Sequence, residues 1–463
     1  MTESETKTIF LVLDSGVAIR NILRTDVFRV LKEDRRLRLV LFSPLVDDEF
    51  RREMSAPNVV IEPLPRWRPN LAVQVLRSLK KDIWAEQVGL FTFKSKRGRK
   101  EGRWLRHWLL SRVVRPGTPG RAEGWLRRID RLEAACTPRL GTEYFERYRP
   151  GLVFFTTIYS RNHCLEIGAR QRGVRTACFI LSWDNPTSKG PFPFRPDRFI
   201  LWNNILREEL IQYHGYRDED LFVSGVPQFD LYLDRASFLP RAEFFAKWGL
   251  DPALKLITYT TGTPGTSPFD HEVVELLDRA RREGAFAMPS QLLVRLHPKD
   301  RPEDYRRFEG QPGLVLQRAG RSAPLPDQWN PTREDMYGLA ELMSYSDVVI
   351  NVASTITIDA SVFDKPVVNV AFDGFQTHPY AESCQRYYEY EHYRRIVQTG
   401  GVQIARTAEE MVAQVNRYLR DPTLESEGRR RIRQEQCWKL DGQSGRRIAQ
   451  YLISLLSERR GEG

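Results

Sequence analysis

The stretch of residues 339–373 constrains the fold of this chain most strongly. It alternates helical patterns with a short apolar run, residues 348–350, and a Val-rich run, residues 367–370, of the kind that form strands buried on both faces. A strand, a helix and a second strand in this order form a βαβ unit, and such units build parallel sheets. Ligands bind these units beyond the carboxyl end of the first strand, so Ser354 and Thr355 mark a possible anion site. The same pattern is also typical of a βαβ unit with a purely structural role.

The size and composition of the chain indicate a globular protein of two or three domains. Its 463 residues are 41% hydrophobic and 28% charged. No run of 18 apolar residues predicts a membrane span, and the polar amino terminus is unlike a signal peptide. The five cysteines lack the paired spacing of a disulfide framework or a zinc site. We therefore expect a cytoplasmic protein.

Strand and helix patterns alternate along most of the chain, which predicts two doubly wound sheets. A first series of strands is predicted at residues 8–13, 37–42, 59–61, 152–156, 175–181, 198–201 and 221–223. A second series is predicted at residues 256–260, 291–296, 314–316, 348–350 and 367–370. The pattern predicts an α/β protein with two Rossmann-like domains, residues 1–235 and 236–428. Residues 429–463 are expected to form a helix that packs back across the junction.

A basic segment interrupts the first series of strands. Residues 67–146 carry helical patterns, and within them residues 94–131 hold 13 Lys and Arg against three acidic residues, a net +10 of the chain's +11. Trp104, Trp108 and Trp125 lie among these charges. Such a segment is typical of a solvated helical surface or of a surface that binds anionic lipid, where Trp favours the interface. No nucleic-acid motif accompanies the charge, so we expect an anionic membrane surface as partner and no nucleic acid.

Polar residues follow two predicted strands of the second domain. The loop of residues 261–266 contains Gly262 and Thr263 among other small or hydroxyl-bearing residues, and it is suited to close approach of a phosphate. Arg295, His297 and Lys299 stand at the end of the next strand, where cations can neutralise a nucleotide diphosphate. No aspartate pair suggests a metal cage. We therefore expect neither a required metal nor a cofactor.

Three motifs resemble those of the CDP-glycerol glycerophosphotransferase family. Ser354-Thr355 with Asp359 and the following Lys365-Pro366 resembles its Ser-Ser/Thr…Asp…Lys-Pro signature, which is also similar to a stretch in bacterial surface-polysaccharide glycosyltransferases and UDP-N-acetylglucosamine 2-epimerase-like proteins. His297-Pro298 resembles the family's donor-phosphate motif. The resemblance implies the GT-B fold, in which two Rossmann-like domains face a cleft. It further implies a nucleotide-activated donor bound by the second domain, with Asp359 in the donor site.

The third motif concerns the first domain. Trp183-Asp184 with Lys189-Gly190 resembles the family's Trp-His-Gly-Thr…Lys-x-Gly loop, whose His is the proposed base. The resemblance implies that Asp184 takes this role, and an aspartate is already ionised at neutral pH.

A second polar loop lies at the carboxyl end of the first strand. It contains Asp14, which is the second candidate for the base, together with Ser15 and Gly16. We assign Ser15, Gly16, Trp183 and Lys189 to an acceptor loop.

The resemblance implies a transferase of surface or capsular polysaccharide biosynthesis. It would move a sugar or an alditol phosphate from a nucleotide-activated donor to a lipid-linked or glycan acceptor. A UDP-sugar 2-epimerase on the same fold is the alternative, and a non-catalytic nucleotide-sugar binder is the third possibility. An epimerase acts on the nucleotide sugar alone, whereas a transferase requires an acceptor.

Overall fold

A computed structural model of the protein describes residues 6–97, 119–156, 163–318, 320–323, 325 and 329–458. Its strands are β1 Lys7–Val12, β2 Leu37–Ser43, β3 Val59–Pro63, β4 Leu152–Phe155, β5 Arg175–Phe179, β6 Arg198–Leu201, β7 Leu221–Val223, β8 Lys255–Thr260, β9 Ser290–Leu296, β10 Leu314–Arg318, β11 Arg321–Ser322, β12 Trp329–Asn330, β13 Val348–Asn351, β14 Val367–Val370 and β15 Gln403–Ala405.

The α-helices are α1 Gly16–Ile22, α2 Asp26–Glu33, α3 Asp48–Met54, α4 Leu71–Val88, α5 Phe91–Arg97, α6 Pro119–Ala135, α7 Thr142–Tyr148, α8 Cys164–Gln171, α9 Asn185–Ser188, α10 Asn204–His214, α11 Pro227–Leu233, α12 Arg241–Lys247, α13 Asp270–Arg282, α14 Arg333–Tyr345, α15 Ile356–Val362, α16 Glu391–Gln398, α17 Ala408–Arg420, α18 Ser426–Gln436 and α19 Ser444–Leu455. Short 3-10 segments, among them Pro302–Phe308 and Cys384–Glu389, connect some of these elements.

The chain forms two compact units. The first comprises Met1–Pro227 and Gln443–Gly463 with three residues around Leu325, and the second comprises Gln228–Ala323 and Asp327–Gly442. The first unit thus ends eight residues before the boundary predicted at 235. The predicted C-terminal helix, residues 429–463, is wrong as a single element, because α18 belongs to the second unit and α19 to the first.

The first unit contains a seven-stranded parallel sheet in the order β3-β2-β1-β4-β5-β6-β7. Its central strands are buried on both faces, which explains their continuous apolar runs, such as Ile9–Leu11 with no exposed surface. The strand order reverses between β1 and β4, and ligands of doubly wound sheets bind near such a reversal.

Two features of the first unit differ from the prediction or extend it. The apolar periodicity of residues 19–32 predicts a single helix. These residues instead form parts of α1 and α2, because the backbone of Thr25 is extended and its hydroxyl donates to the Asn21 carbonyl at 2.8 Å. Helix α19 packs closely on α2, since a methyl group at Gly445 would stand 3.0 Å from Asp26 Cβ. The ring of Tyr451 in α19 also stacks on Phe222, with centroids 4.1 Å apart.

The described part of the insertion is helical, as predicted. Helices α4 and α6 pack as an antiparallel pair through Ile83 and Ile129. Two ion pairs join them, Arg77 with Glu133 at 2.7 Å and Lys80 with Asp130 at 2.5 Å. Residues 98–118 of the predicted basic segment, including Trp104 and Trp108, lie outside the described residues.

The second unit contains a six-stranded parallel sheet in the order β10-β9-β8-β13-β14-β15. Its order reverses between β8 and β13. The prediction missed β15. It also missed the antiparallel pair β11–β12, which lies in a Pro-rich stretch ending at Pro331 whose composition predicts a loop. Each unit is therefore a doubly wound, Rossmann-like domain.

Candidate active site

In the first unit, the loop after β5 positions Asp184. This residue directly precedes the single turn α9, and its side chain is partly exposed. Its Oδ2 accepts a hydrogen bond from Ser188 Oγ at 2.5 Å, and its Oδ1 accepts one from Ser182 Oγ. The two hydroxyl groups therefore fix the orientation of the carboxylate at the carboxyl edge of the sheet.

Contacts from other elements hold this loop in place. His214, at the end of α10, lies with its Nε2 2.9 Å from the Pro186 carbonyl and stacks on Phe192. Burial lowers the pKa of His214 to about 4, so the ring is neutral at pH 7 and its Nε2–H donates to that carbonyl. Lys96 Nζ donates to the Ser188 carbonyl at 2.7 Å.

The other residues assigned to the acceptor loop differ in exposure. Trp183 is buried, with 5% of its surface exposed, whereas Lys189 is exposed. Gly190 has a φ of 103°, a conformation that favours glycine. Trp183 thus packs inside the unit, and its ring is not presented to solvent as an acceptor surface would be.

Asp14, the second candidate base, follows β1 and is partly buried. Ser15 caps α1, because its Oγ accepts the Ala18 N–H at 3.3 Å, and the adjacent Gly16 is the first residue of that helix. One strand, β4, separates β1 from β5, so the strands that lead to Asp14 and Asp184 are about 10 Å apart. The two carboxylates are thus separate groups at one edge of the sheet.

Two buried ionisable residues near this edge were missed by sequence reasoning. Glu166 in α8 is 3% exposed, and burial, with the charge of Asp14 adding to it, raises the pKa of its carboxyl to about 8. His163, which precedes α8, has no exposed surface, and burial lowers its pKa to about 3. The sequence pattern of this helix contains no signal for either shift, because both shifts arise from tertiary burial.

In the second unit, three loops meet at the carboxyl edge of the sheet. They follow the neighbouring strands β9, β8 and β13, and the strand order reverses between the last two. The loops carry His297, then Gly262 and Thr263, then Ser354 and Thr355. The structure therefore brings these predicted residues to one edge, at the place where a parallel sheet binds ligands.

The loop with Gly262 is held by a buried carboxylate. Gly262 N–H donates to Asp270 Oδ2 at 2.6 Å, and the Thr263 and Thr266 hydroxyls are 2.8 Å apart. In the neighbouring loop, His297 N–H donates to Asp300 Oδ2 at 2.9 Å and to Thr261 Oγ1 at 2.7 Å. The two loops thus share a set of backbone and side-chain hydrogen bonds.

The side chain of His297 is also oriented. Its Nδ1 accepts a hydrogen bond from Lys299 N–H at 3.1 Å, so in the neutral ring the proton lies on Nε2. The side chain of His297 is partly buried, and that of Lys299 is exposed. An imidazole held in this tautomer can donate a hydrogen bond to a phosphate oxygen.

The loop of Ser354 has an unusual backbone. Ala353 has a φ of 32° and donates its N–H to the Tyr388 hydroxyl at 3.2 Å. Ser354 Oγ accepts the Ile356 N–H at 3.3 Å, whereas Thr355, which precedes α15, makes no capping hydrogen bond. Ser354 is thus the residue that caps this short helix.

The structure places two predicted donor-site side chains in contacts elsewhere in the second unit. Arg295 is 8% exposed and donates to Gln317 Oε1 of β10 at 2.5 Å. Asp359 is 2% exposed and accepts from Tyr232 of α11 at 2.5 Å and from Gln228 at 3.1 Å. These side chains join elements within the unit and are not gathered with the loop residues.

The described residues contain neither a metal-binding cluster nor a membrane-spanning helix. Among the described residues, no group of three or more His, Cys, Asp or Glu is arranged to hold a metal ion. Within the same part of the chain, no helix combines the length and the apolar character needed to cross a membrane.

Solved structures with similar folds include nucleotide-sugar enzymes. The S. aureus MnaA-UDP co-structure aligns with a TM-score of 0.56 at 12% identity, covering 99% of this chain and 100% of that one. UDP-GlcNAc 2-epimerase from Neisseria meningitidis bound to UDP-GlcNAc aligns with a TM-score of 0.55 at 11% identity. The alignment covers 97% of this chain and 100% of that one. A glycosyltransferase from Rickettsia africae ESF-5 aligns with a TM-score of 0.52 at 11% identity. The alignment covers 98% of this chain and 100% of that one. At these identities the likeness shows the fold alone, and it is the GT-B class.

Sequence comparison identifies the family. No curated protein matches the chain. Residues 195–454, more than half of the chain, match the family model of CDP-Glycerol:Poly(glycerophosphate) glycerophosphotransferase. The match covers the whole Rossmann-like core of the second unit, including the loops of Gly262, His297 and Ser354. The chain belongs to the CDP-glycerol:poly(glycerophosphate) glycerophosphotransferase family, and it is a transferase.

Proposed function

We propose that this transferase moves an alditol phosphate or a sugar from a nucleotide-activated donor to a hydroxyl group of a lipid-linked or glycan acceptor, in the synthesis of a surface or capsular polymer. The observation that carries the proposal is the edge of the second sheet. Three adjacent loops there present Gly262 and Thr263, His297, and Ser354 with Thr355, beside the reversal of strand order. Backbone N–H groups, hydroxyls and an imidazole donor are suited to a diphosphate.

The chemistry assigns separate tasks to the two units. Asp184 accepts the proton of the acceptor hydroxyl, whose oxygen then forms the new bond to the transferred group. The bond between this group and the nucleotide breaks, and its electron pair leaves on a phosphate oxygen. Loops of the second unit stabilise the negative charge that develops on the leaving nucleotide. For an alditol phosphate donor the leaving group is a nucleoside monophosphate, and for a sugar donor it is a nucleoside diphosphate.

The donor site is tested by removing one group from each of two loops. His297→Ala and Ser354→Ala should each weaken the binding of CDP-glycerol by about 10- to 100-fold, because each removes one hydrogen bond to a charged group. Calorimetry measures this affinity. Ser290→Ala is the control, because Ser290 begins β9 at the opposite edge of the sheet and donates to the Met288 carbonyl. Unchanged affinity in both loop variants would place the phosphates elsewhere.

The acceptor proposal includes an anionic membrane surface, bound through residues 94–131. In the described part of this segment, Arg127, Arg128 and Arg131 of α6 are exposed, and Trp125 beside Arg128 is 44% exposed. Each cation near an anionic lipid surface contributes about 1 kcal/mol, and salt screens the attraction beyond ~10 Å at 0.1 M.

Vesicle cosedimentation tests this surface. Replacing Arg127, Arg128 and Arg131 with Gln should reduce binding to vesicles that contain phosphatidylglycerol, and added salt should have the same effect. Gln at the exposed Arg420, Arg430 and Arg431 of the second unit serves as the charge-matched control. Equal binding of the wild-type protein to neutral and anionic vesicles would contradict an electrostatic surface.

A further inference from the structure

Asp270 is a buried carboxylate at the start of α13 that the proposed chemistry does not use. It is 2% exposed. Its Oδ2 accepts the Gly262 N–H at 2.6 Å, while its Oδ1 accepts the Ser267 hydroxyl at 2.5 Å and also the Tyr259 hydroxyl. One side chain therefore connects the end of β8 with both the beginning and the end of the loop that follows this strand.

Asp300 has a similar role one strand away. Its Oδ2 accepts the Thr261 hydroxyl and the His297 N–H, so it ties the loop after β8 to the loop after β9. The Thr261 N–H also donates to the Arg295 carbonyl at 3.1 Å. Two acidic side chains thus lie behind the loops to which the donor phosphates are assigned.

Carboxylates close to a phosphate site repel the ligand unless hydrogen-bond donors of the protein engage their negative oxygens. The oxygens of Asp270 accept three donors from the protein, so the carboxylate is engaged by its own loop and strand. We propose that Asp270, assisted by Asp300, is a positioning residue that holds residues 261–267 in the shape that receives the donor diphosphate. This inference rests on the proposed function only for the identity of the ligand.

The protonation state of Asp270 should control how firmly the loop is held. Burial raises the pKa of Asp270 to about 7, and the charge of Asp300 adds to the shift. When the carboxyl takes up a proton, one of its oxygens becomes an O–H donor. That oxygen then accepts less well from the protein donors that face it. The titratable groups that act on Asp270 from the packed elements are Tyr259, Asp300, Tyr305, Cys384 and Tyr388.

Of these neighbours, Asp300 is the carboxyl group, and burial raises its pKa as well. Burial raises the pKa of the tyrosines and of Cys384 above their ordinary values, so these groups stay neutral near neutral pH. The loop should therefore loosen as the pH falls below about 7 and Asp270 takes up a proton.

The test compares Asp270→Asn with Asp278→Asn. Asp278 lies on the same helix, is 1% exposed and pairs with Arg281 and Arg282, so its replacement reports general effects on α13. Hydrogen exchange of residues 261–267 should be at least about tenfold faster in Asp270→Asn than in Asp278→Asn, because one fixed acceptor is lost. Ser267→Ala removes a single donor and should give a smaller change in the same direction.

Binding of CDP-glycerol supplies the second readout. Its diphosphate diester does not titrate near pH 7. Asp270→Asn should bind it about tenfold more weakly than the wild type at pH 8. The ratio of the wild-type affinity to the variant affinity should shrink towards pH 6, where Asp270 is protonated. Any effect of pH that is common to the two proteins cancels in this ratio.

Each outcome has a distinct meaning. Unchanged hydrogen exchange of residues 261–267 in both Asp270→Asn and Ser267→Ala would overturn the positioning role. The same conclusion would follow if the wild type and Asp270→Asn bound CDP-glycerol with equal affinity at pH 8 and at pH 6. If the wild type binds neither CDP-glycerol nor UDP-GlcNAc, the proposed function fails, while the exchange experiment still decides whether Asp270 anchors the loop.

Discussion

At the scale of single residues, Asp184 is the proposed base. Two hydroxyls fix its carboxylate at the carboxyl edge of the first sheet, in the loop whose motif resembles that of the family. Asp184→Asn keeps the shape of the side chain but removes the proton acceptor. We expect kcat to fall by roughly 10²–10⁴ while donor affinity is retained.

Steady-state kinetics with a saturating donor checks this prediction. Asp218→Asn is the control, because Asp218 is an exposed residue of the same unit that pairs with Arg207. A kcat close to that of the wild type in Asp184→Asn would assign the role of base to Asp14 instead.

Residue positions that depend on strand ends were predictable, whereas side-chain directions were not. The carboxyl ends of β8, β9 and β13 bring Gly262, His297 and Ser354 to one edge, as the alternation of patterns indicated. Arg295 was expected there too, but it lies opposite Gln317 in the β9–β10 register and donates to it. The partner was not evident from the sequence, because it depends on how β9 and β10 pair.

At the scale of elements, the buried Glu166 of helix α8 should make the stability of the protein depend on pH. Burial raises the pKa of Glu166 from its ordinary value of 4.5 to about 8, so the folded state holds the neutral form more strongly than the unfolded chain does. The stability from this neutral carboxyl is complete below pH 4 and is lost as the pH rises through 8. The free energy of unfolding of Glu166→Gln should therefore match that of the wild type at low pH. At pH 9 the variant should be more stable than the wild type by about a few kcal/mol.

Denaturant unfolding between pH 5 and pH 9 measures this difference. The lowered pKa of His163 acts in the opposite direction, because it removes stability as the pH falls below about 6.5, but it is present in both proteins and cancels. Glu146→Gln, at an exposed position of α7, should show no such trend. A stability difference between wild type and Glu166→Gln that does not change with pH would contradict the account.

Most elements could be predicted, and the exceptions have physical reasons. Most buried strands contain continuous apolar runs, so their positions are evident from composition alone, as in β4 and in residues 199–201 of β6. The break between α1 and α2 was missed because apolar periodicity continues through it, while Thr25 bonds back to Asn21 and extends the backbone. The three-residue strand β15 is too short to show a period.

At the scale of the whole molecule, the α/β class, the two doubly wound sheets and the family were predictable. The sheets follow from alternating patterns, and the motifs indicated the family. The sequence comparison confirmed the family over residues 195–454, a range that does not include the Trp183–Gly190 motif. The split of the C-terminal region was not predictable, because α18 and α19 have similar helical patterns and only packing assigns them to different units.

Acceptor dependence is the property that separates a transferase from an epimerase on this fold. The decisive measurement is nucleotide release from CDP-glycerol and from UDP-GlcNAc, each with and without a short poly(glycerophosphate) primer or a lipid-linked glycan. The account predicts that one donor releases its nucleotide only when an acceptor is present, and that the acceptor gains one unit in mass spectrometry. Conversion of UDP-GlcNAc to its 2-epimer without any acceptor, with no extension of either acceptor, would contradict it.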